Sequence, residues 1–279
     1  MKQKDMQVKR IVVIDSLHCG SIYGLHPPDF KASSDASVPQ NPGQKYLWDC
    51  WKDFITWATQ KPTTAVVVLG DIIDGDQRRQ GGTEKCLATL GDQIEAAVQS
   101  LFWFGGAPFY LVQGTEYHDE SAGRAVDEIA TRVGARRYVG LGAGYRTHEV
   151  LDLKIDGTTI NFAHHGPGCV GLYRATGADK EGIFSALAGK EGKAPRADVV
   201  VRGHWHFFIH VEHESKHIVY VPCWQLQTRY MRHNSVYRMI PDIGGIVIEV
   251  DPAKIAEGED PVTIVKRIYA LPKREVEKV

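Results

Sequence analysis

Carboxylates and imidazoles occur at five separated points in the chain, each directly after a short apolar run. The five groups are Asp15 with His18, Asp71 with Asp74 and Asp76, Glu116 with His118 and Asp119, His164 with His165, and His204 with His206. Such side chains suit general acid–base chemistry and metal coordination through nitrogen and oxygen. Carboxylates crowded into one crevice raise one another's pKa unless a cation neutralises them. Brought together, these groups therefore predict a metal site.

The ligand types narrow the choice of metal. Carboxylate and imidazole without thiolate favour manganese, iron or zinc over calcium or a structural cysteine–zinc site. The candidate ligands are numerous enough for two divalent ions about 3.5–4 Å apart that share one carboxylate. We therefore expect two divalent metal ions, with manganese favoured and iron, zinc or nickel as alternatives.

The apolar runs in front of these groups are predicted to be strands that position them. These runs are Ile11–Ile14, Ala65–Leu69, Phe109–Val112, Ile160–Ala163 and Val199–Val201. Short runs rich in Val and Ile are typical of buried strands in a sheet that is covered on both faces. Loops at the carboxyl ends of parallel strands converge on one crevice, so we expect the five groups to meet there.

Helical patterns and turn signals lie between the strands. The predicted helices are Tyr46–Thr59, Glu84–Phe104, Ser121–Val133 with Ser121 as its N-cap, and a weaker one over Lys180–Ala188. Asp156-Gly157 between Val150–Ile155 and Thr158–Phe162 predicts a hairpin. Residues 25–44, rich in Pro, Ser and Asp, are expected to form a long loop.

No helix is expected after residue 206, where antiparallel strands are predicted to form a meander. These strands are Phe207–Val211, His217–Val221, Gly245–Val250 and Thr263–Ala270. The simplest packing is one α/β domain over residues 1–279, a four-layer αββα sandwich of two mixed β-sheets flanked by helices. In this arrangement residues 10–206 carry the metal-site core and residues 207–272 supply a β-rich second sheet.

The order of the five groups resembles the calcineurin-like metallophosphoesterases. Members of that family show Asp-x-His, Gly-Asp-x-x-Asp, Gly-Asn-His-(Asp/Glu), a strand-end His and Gly-His-x-His. Here Gly70-Asp71-Ile-Ile-Asp74 and Gly203-His204-Trp-His206 match outright, and His164-His165 fits the fourth motif. The resemblance covers roughly residues 10–210, and the run from His18 to Pro28 looks like some phage-encoded members.

The resemblance implies a role for each matching residue. Asp15, His18 and His206 would hold one ion, Asp71 would bridge, and Glu116, His164 and His204 would hold the other. A hydroxide that bridges the metals would attack phosphorus, and the metals would stabilise the developing charge. His118 would contact the phosphate or protonate the leaving oxygen, and Asp74 would orient His118. His165 competes with His164, which we favour because it comes first after the strand.

Two departures from the family pattern affect these assignments. The first motif has Asp15 one place early, and Ser16 occupies the expected position. A one-residue shift on a strand turns a side chain to the other face, so Asp15 serves only if the loop has left strand geometry. The third motif has Thr115 in place of Asn and a displaced His118, and we therefore interpret Glu116 as the replacement ligand.

These motifs predict an enzyme, a dinuclear-metal phosphoesterase that hydrolyses a phosphodiester or a phosphomonoester. A nuclease, another phosphodiesterase and a phosphatase all remain open, and His165, Arg78 and Arg79 are candidate substrate contacts. The alternative is a catalytically weakened metal-binding or scaffold protein that retains the fold. A nucleotide or nucleic acid is a candidate partner, although 33 basic against 34 acidic residues does not favour long duplex DNA.

Composition excludes a collagen-like, a disordered and a coiled-coil protein. With 279 residues, 43% hydrophobic and 24% charged, the chain has the composition of an ordinary globular protein. It contains no apolar run long enough for a transmembrane helix and no signal-type segment, so no membrane partner is expected. Five scattered cysteines without Cys-x-x-Cys predict a cytoplasmic location. His210, His213 and His217 are interpreted as solvated, and the oligomeric state stays open.

Overall fold

The computed structural model describes residues 7–78, 81–119, 123–137, 145–169, 172–214, 216–273 and 276–277. Its strands are β1 (Lys9–Ile14), β2 (Phe30–Lys31), β3 (Ser37–Val38), β4 (Ala65–Val68), β5 (Phe109–Val112), β6 (Thr147–His148), β7 (Val150–Ile155), β8 (Thr158–Ala163), β9 (Val199–Arg202), β10 (Ile209–His213), β11 (Lys216–Tyr220), β12 (Ile243–Val250) and β13 (Val262–Tyr269). Its helices are α1 (Pro42–Ala58), α2 (Leu90–Leu101), α3 (Glu116–Asp119), α4 (Arg124–Arg132), α5 (Ala175–Lys190), α6 (Arg229–Asn234) and α7 (Pro252–Glu257).

The longer strands form two mixed sheets. The first has the order β13-β12-β1-β4-β5-β6, and the second has the order β10-β11-β9-β8-β7. In the first sheet β1, β4, β5 and β6 run parallel, β12 pairs antiparallel with β1, and β13 pairs antiparallel with β12. In the second sheet β8, β9 and β11 are parallel, with β7 and β10 antiparallel at its edges.

Alternating side chains on the strands build the layers. On β1, Val12 and Ile14 join the apolar cluster that contains Trp51 of α1, whereas Ile11 and Val13 join the cluster between the sheets. Successive strand residues point to opposite faces, so β1 is covered by helices on one face and by the second sheet on the other. On the far face of the second sheet, Ile218 and Tyr220 pack with Ala178 of α5. The predicted αββα sandwich is confirmed.

The segment after residue 206 differs from the expectation. Its strands divide between the sheets: β10 and β11 join the second, whereas β12 and β13 extend the first beside β1. It also contains α6 and α7, which begin at the caps Thr228 and Asp251. Residues 207–272 therefore do not form a second sheet of their own, and the prediction that helices stop at residue 206 is wrong. A helix of six residues is too short to show a clear amphipathic period.

Capping explains the remaining differences in helix bounds. The reciprocal capping box of Asn41 and Gln44 starts α1 at Pro42, within the predicted loop 25–44, which also contains the β2–β3 hairpin. Thr89 accepts a hydrogen bond from the Asp92 backbone N–H, so α2 begins only at Leu90 and residues 84–89 are not helical. Ser121 lies outside the described residues. Among the described residues, no helix has both the length and the apolar character that crossing a membrane would require.

Candidate metal centre

The predicted ligand groups meet at one edge of the sandwich. Three of them follow β1, β4 and β5 of the first sheet, and the other two follow β8 and β9 of the second. The parallel strands of each sheet end at this edge, as the sequence predicted. The site therefore lies where the two sheets meet.

Left-handed backbone conformations mark the loops of this site. His18, Asp71, His204 and His206 have φ values of 46°, 44°, 71° and 62°. Positive φ is uncommon for residues other than glycine and persists only where the surrounding structure holds it. Ser16, at φ 52°, leaves strand geometry immediately after β1. Asp15 precedes this turn and still forms an isolated parallel bridge with Cys223, so it continues the alternation of Ile11 and Val13, which face the second sheet.

Two glycines bring the loops after β4 and β5 together. A Cβ atom on Gly70 would lie 2.4 Å from the Cα of Gly114, and one on Gly114 would lie 2.2 Å from the backbone N of Asp71. The approach lets the backbone N–H and the hydroxyl of Thr115 donate to Asp71 Oδ1, at 2.7 and 2.9 Å. Thr115 thus fixes the Asp71 carboxylate.

His164 and His204 surround the other oxygen of Asp71. His164 Nε2 lies 3.1 Å and His204 Nδ1 lies 3.9 Å from Asp71 Oδ2. Burial alone would raise the pKa of Asp71, but the nearby imidazoles, His164 first, hold that pKa well below its usual range. Burial opposes protonation of His164, yet the charges of Asp71 and Asp15 raise its pKa well above the usual value. Asp71 is therefore an anion that attracts a proton or a metal ion between itself and His164.

His18, Asp74, His118 and His206 form the neighbouring part of the site. His18 Nδ1 donates to Asp74 Oδ1 at 3.0 Å, which leaves Nε2 as the free ring nitrogen. The rings of His18 and His206 lie 5.4 Å apart between centroids. Burial, followed by the nearby His18 and His204, lowers the pKa of His206 well below its usual value. His206 is therefore a neutral imidazole, the form that binds metals.

Buried nitrogen atoms without hydrogen-bond partners test whether these residues fit a metal. The nitrogens in question are His18 Nε2, His164 Nε2, His204 Nδ1 and His206 Nδ1. Buried polar atoms nearly always have partners, so four such atoms at one edge of the sandwich, two of them facing Asp71 Oδ2, require a common explanation. Neutral imidazole nitrogens with a carboxylate are the ligand set of manganese, iron, zinc and nickel sites. The residues present fit a site for divalent metal ions.

Asp15 lies behind the ligands. It is fully buried, and its Oδ2 accepts hydrogen bonds from the Ser16 hydroxyl at 2.8 Å and from the His204 backbone N–H at 3.0 Å. Its Oδ1 lies 3.2 Å from His164 Nδ1, which also donates to the Leu69 carbonyl. The structure therefore does not bring Asp15 beside Asp71, because strand alternation directs the Asp15 carboxylate toward His164 Nδ1, whereas Asp71 lies at His164 Nε2.

Glu116 is not brought to the site either. It is the first residue of α3, and its side chain is exposed. The preceding residue, Thr115, contacts Asp71 instead. Gly114 lies against the backbone of Asp71, so the loop is closest to Asp71 at Gly114 and Thr115. The replacement-ligand interpretation therefore finds no support in the placement of Glu116.

Asp119 belongs to the third sequence group but was given no role there. It is buried at the end of α3, and its Oδ2 accepts a hydrogen bond from the Gly114 backbone N–H. Burial, followed by the charge of Asp71, raises the pKa of Asp119 to about 7. The signal that could have revealed it is the His118-Asp119 pair, which matches the His-(Asp/Glu) end of the family's third motif.

The predicted catalytic residue His118 and the predicted substrate contacts His165 and Arg78 differ in exposure and in the groups they contact. His118 Nδ1 donates to the backbone carbonyl of Asp74 at 3.0 Å, and its side chain remains 20% exposed. His165 is exposed, with its ring centroid 4.6 Å from that of His204, whereas His164 is buried. Arg78 is exposed, and its Nη2 lies 3.7 Å from Asp76 Oδ2. Arg79 lies outside the described residues.

A cavity of about 610 Å³ opens over the ligand groups. The imidazoles of His18, His118, His204 and His206 line it together with Asp71 and Asp74. Its other lining side chains are aromatic or thioether, namely Tyr117, Trp205, Phe207, Tyr230, Met231 and Met239, or uncharged polar, namely Ser21, Gln77, Thr115, Gln225 and Thr228. A buried carboxylate, Glu84, also lines it and accepts a hydrogen bond from the Arg229 backbone N–H at 3.2 Å. The arrangement combines a polar floor with largely apolar walls.

No protein-family model matches the chain, and no curated protein matches it either. Solved structures similar to it include an archaeal phosphodiesterase, with 8% identity, a TM-score of 0.46, and coverage of 93% of this chain and 99% of that chain. A protein from Streptococcus pneumoniae TIGR4, described as a predicted phosphoesterase, has 12% identity, a TM-score of 0.36, and coverage of 94% and 99%. Vps29 from Entamoeba histolytica, complexed with zinc, has 13% identity, a TM-score of 0.39, and coverage of 93% and 98%. Identities and TM-scores this low transfer neither an activity nor site residues to this chain.

Proposed function

We propose that this protein is a metal-dependent phosphoesterase. The observation that carries the proposal is the set of four buried imidazole nitrogens without hydrogen-bond partners. Two of them, on His164 and His204, face Asp71, and His18, His204 and His206 line a substrate-sized cavity together with Asp71. The sequence motifs that resemble the calcineurin-like metallophosphoesterases lead to the same edge of the sandwich. Hydrolysis of a phosphoester is the reaction that this combination of ligands, general acid and cavity supports best.

The proposed ligands divide into two sets that share Asp71. His18 and His206 would hold one divalent ion, and His164 and His204 would hold the second. When bound, the ions would stabilise charge on the phosphoryl oxygens and lower the pKa of a water molecule for attack on phosphorus. Manganese remains the favoured metal, with iron, zinc or nickel as alternatives.

The chain's own groups orient these ligands and move the proton. Thr115 holds Asp71, and Asp15 fixes the ring of His164 and the backbone of His204, which is the role that outer carboxylates play around metal sites. Since a carbonyl accepts from His118 Nδ1, a second proton on His118 must reside on Nε2. We propose that this Nε2 proton is donated to the leaving oxygen.

The walls of the cavity favour a substrate with one phosphoester and an apolar or aromatic organic group. Among the described residues that line the cavity, none is arginine or lysine, and Glu84 adds a buried carboxylate. Apart from the metal ions, these walls offer no positive charge to neutralise the phosphates of a polyanionic chain. A small phosphodiester, such as one that carries a nucleobase, fits better than a polyphosphate or duplex nucleic acid.

Hydrolysis of chromogenic esters tests this function. Bis(4-nitrophenyl) phosphate and 4-nitrophenyl phosphate are compared with manganese added, for the wild type, Asp71→Asn and Asp76→Asn. Asp76 is half-exposed and pairs with Lys85, so its replacement is a matched control. We expect manganese-dependent turnover, faster for the diester, that is lost only in Asp71→Asn. Equal activity of Asp71→Asn and the wild type would contradict the assignment.

The alternative function is a metal-binding or scaffold protein with weakened catalysis. It is favoured by one observation, namely that neither Asp15 nor Glu116 joins the ligand groups, which leaves fewer carboxylates for the metals than the sequence predicted. Full metal occupancy without turnover of either ester would support this alternative. The cytoplasmic location stays a prediction, supported by the five cysteines, all of which are free.

A further inference from the structure

A second set of metal-binding side chains lies at the opposite end of the second sheet. His210 and Glu212 are on β10, and Glu212 is paired with His217 on β11. His217 is also paired with Val199, the first residue of β9, whereas His204 lies two residues beyond Arg202, the last residue of that strand. The length of β9 therefore separates this set from the site around Asp71.

The two imidazoles are spaced for a shared ion. His210 Nε2 lies 3.0 Å from His217 Nδ1, and one ligand atom from each of His210, Glu212 and His217 lies within 4.8 Å of the others. Zinc–nitrogen bonds of about 2.0–2.1 Å at a tetrahedral angle place two ligand nitrogens about 3.3 Å apart. Only a small movement of the hairpin side chains would seat an ion.

Asp260 holds His217 in the orientation that a metal ligand needs. His217 Nε2 donates to Asp260 Oδ2 at 2.7 Å, so the Nδ1 lone pair faces His210. Asp260 Oδ1 accepts from the Val262 backbone N–H at 2.9 Å, which fixes the carboxylate. A ligand imidazole whose other nitrogen donates to a carboxylate is the usual arrangement around protein-bound zinc. The orientation was unexpected from the sequence, because His217 was interpreted as solvated and is in fact buried.

The remaining groups permit an ion to enter and bind. Glu212 is exposed, so solvent reaches the set and supplies the fourth ligand. Binding requires His210 to carry its proton on Nδ1 instead of donating it from Nε2 to His217.

We propose that His210, Glu212 and His217 form an independent site for one divalent transition-metal ion of the zinc type, with Asp260 as the positioning carboxylate. The ion replaces the hydrogen bond between His210 and His217. It links the β10–β11 hairpin of the second sheet, through Asp260, to the segment that leads into β13 of the first. Its role is structural, since a bound ion stabilises the folded state by mass action.

Zinc stoichiometry after equilibrium dialysis tests the proposal. The wild type, His210→Ala and His213→Ala are compared, with circular dichroism to verify the fold. His213 is the matched control, since it lies on the same hairpin but is exposed and contacts Asp179. We expect His210→Ala to bind one zinc ion fewer per chain than the wild type, and His213→Ala to bind the same number. Equal stoichiometry in all three proteins, or an equal loss in both variants, would overturn the site.

A second variant separates positioning from ligation. Asp260→Asn leaves all three ligands in place and should weaken zinc binding at this site by about 10–100-fold, measured by competition with a chromophoric chelator. The zinc-dependent rise in Tm should shrink in the same variant. Unchanged affinity in Asp260→Asn would show that the carboxylate does not position a ligand. None of these readouts depends on phosphoesterase activity.

Discussion

At the scale of single residues, the site is organised around the charge of Asp71. Thr115 holds one of its oxygens, and two imidazole nitrogens face the other. Asp15 contacts His164 at Nδ1, the ring nitrogen farther from Asp71, and accepts a hydrogen bond from the backbone N–H of His204. Replacing a residue that binds metal should remove an ion, whereas replacing a residue that orients a ligand should weaken binding without removing an ion.

Replacement of Asp15 distinguishes these two roles. Asp15→Asn keeps the size of the side chain but loses the charge behind His164, so we expect metal affinity to fall by about 10–100-fold with an unchanged number of ions per chain. Competition titration gives the affinity, and elemental analysis gives the stoichiometry. Ser16→Ala, which removes only the hydroxyl contact to Asp15, is the milder control. Loss of one ion from Asp15→Asn would make Asp15 a ligand.

Asp119 predicts a pH dependence of the metal-free protein. Its pKa is raised to about 7 by burial and by Asp71, whereas an unfolded aspartate has a pKa near 3.8. Between pH values of about 4 and 7, Asp119 binds more protons in the folded state than in the unfolded state. The contribution of Asp119 to the free energy of unfolding therefore falls as the pH rises through this range. Urea denaturation of Asp119→Asn at pH 5 and pH 7.5 should therefore show a smaller loss of stability than the wild type. Asp49→Asn, at an exposed carboxylate, should behave like the wild type, and a wild-type slope in Asp119→Asn would refute the prediction.

At the scale of elements, the loops that follow the strands place the ligands, and glycines decide how closely the loops approach. The first residues after β4 and β5 meet at Gly70 and Gly114 with no space for a side chain. This contact sets the position of Thr115 and, through α3, of His118 and Asp119. The positions of the third-motif residues therefore depend more on a backbone contact between two loops than on the local sequence.

An alanine at Gly114 should disrupt this contact. Its Cβ would lie 2.2 Å from the Asp71 backbone N and 2.4 Å from Asp71 Oδ1, so the β4 and β5 loops must separate. We expect Gly114→Ala to lower the free energy of unfolding by about 1–3 kcal/mol and to weaken metal binding. Gly106→Ala is the control, because a Cβ there meets no atom within 4 Å. Equal stability and metal affinity of the two variants would contradict the proposed contact.

Local patterns predicted the elements that carry the site but not how the loops turn. The strands ahead of Asp15, Asp71 and His164 are short, apolar and locally recognisable, so their predicted and observed bounds nearly coincide. The assignment of Glu116 as a ligand stays a prediction. Its side chain is exposed, in a loop positioned by the contact between Gly114 and the distant Gly70, which no local pattern shows. The left-handed turn at Ser16 is signalled by no residue pattern, whereas the position of Asp15 behind His164 agrees with strand alternation.

At the scale of the whole molecule, the site is built only when both sheets are assembled. Asp71 and His18 come from the first sheet, and His164 and His204 come from the second. The first sheet is itself completed by β12 and β13 from the far end of the chain. This pairing could not be predicted, because an antiparallel strand of the same apolar pattern fits the edge of either sheet.

Metal removal should therefore lower the stability of the whole fold. An ion that binds only the folded state stabilises it by about 2.7 kcal/mol when the free ion is at a hundred times its dissociation constant. We expect a chelator to lower the Tm of the wild type in one cooperative transition, and the shift to be much smaller in Asp71→Asn. A chelator that leaves the wild-type Tm unchanged would show that the site holds no metal in the folded protein.

Diffraction from a manganese-soaked crystal, measured at the metal absorption edge, shows directly whether the buried imidazole nitrogens beside Asp71 are metal ligands. We expect two anomalous peaks about 3.5–4 Å apart. One peak should lie beside His18 Nε2 and His206 Nδ1, the other beside His164 Nε2 and His204 Nδ1, with Asp71 between them and Asp15 outside both coordination spheres. Peaks coordinated by Asp15 or Glu116, or no peak at this edge of the sandwich, would contradict the account.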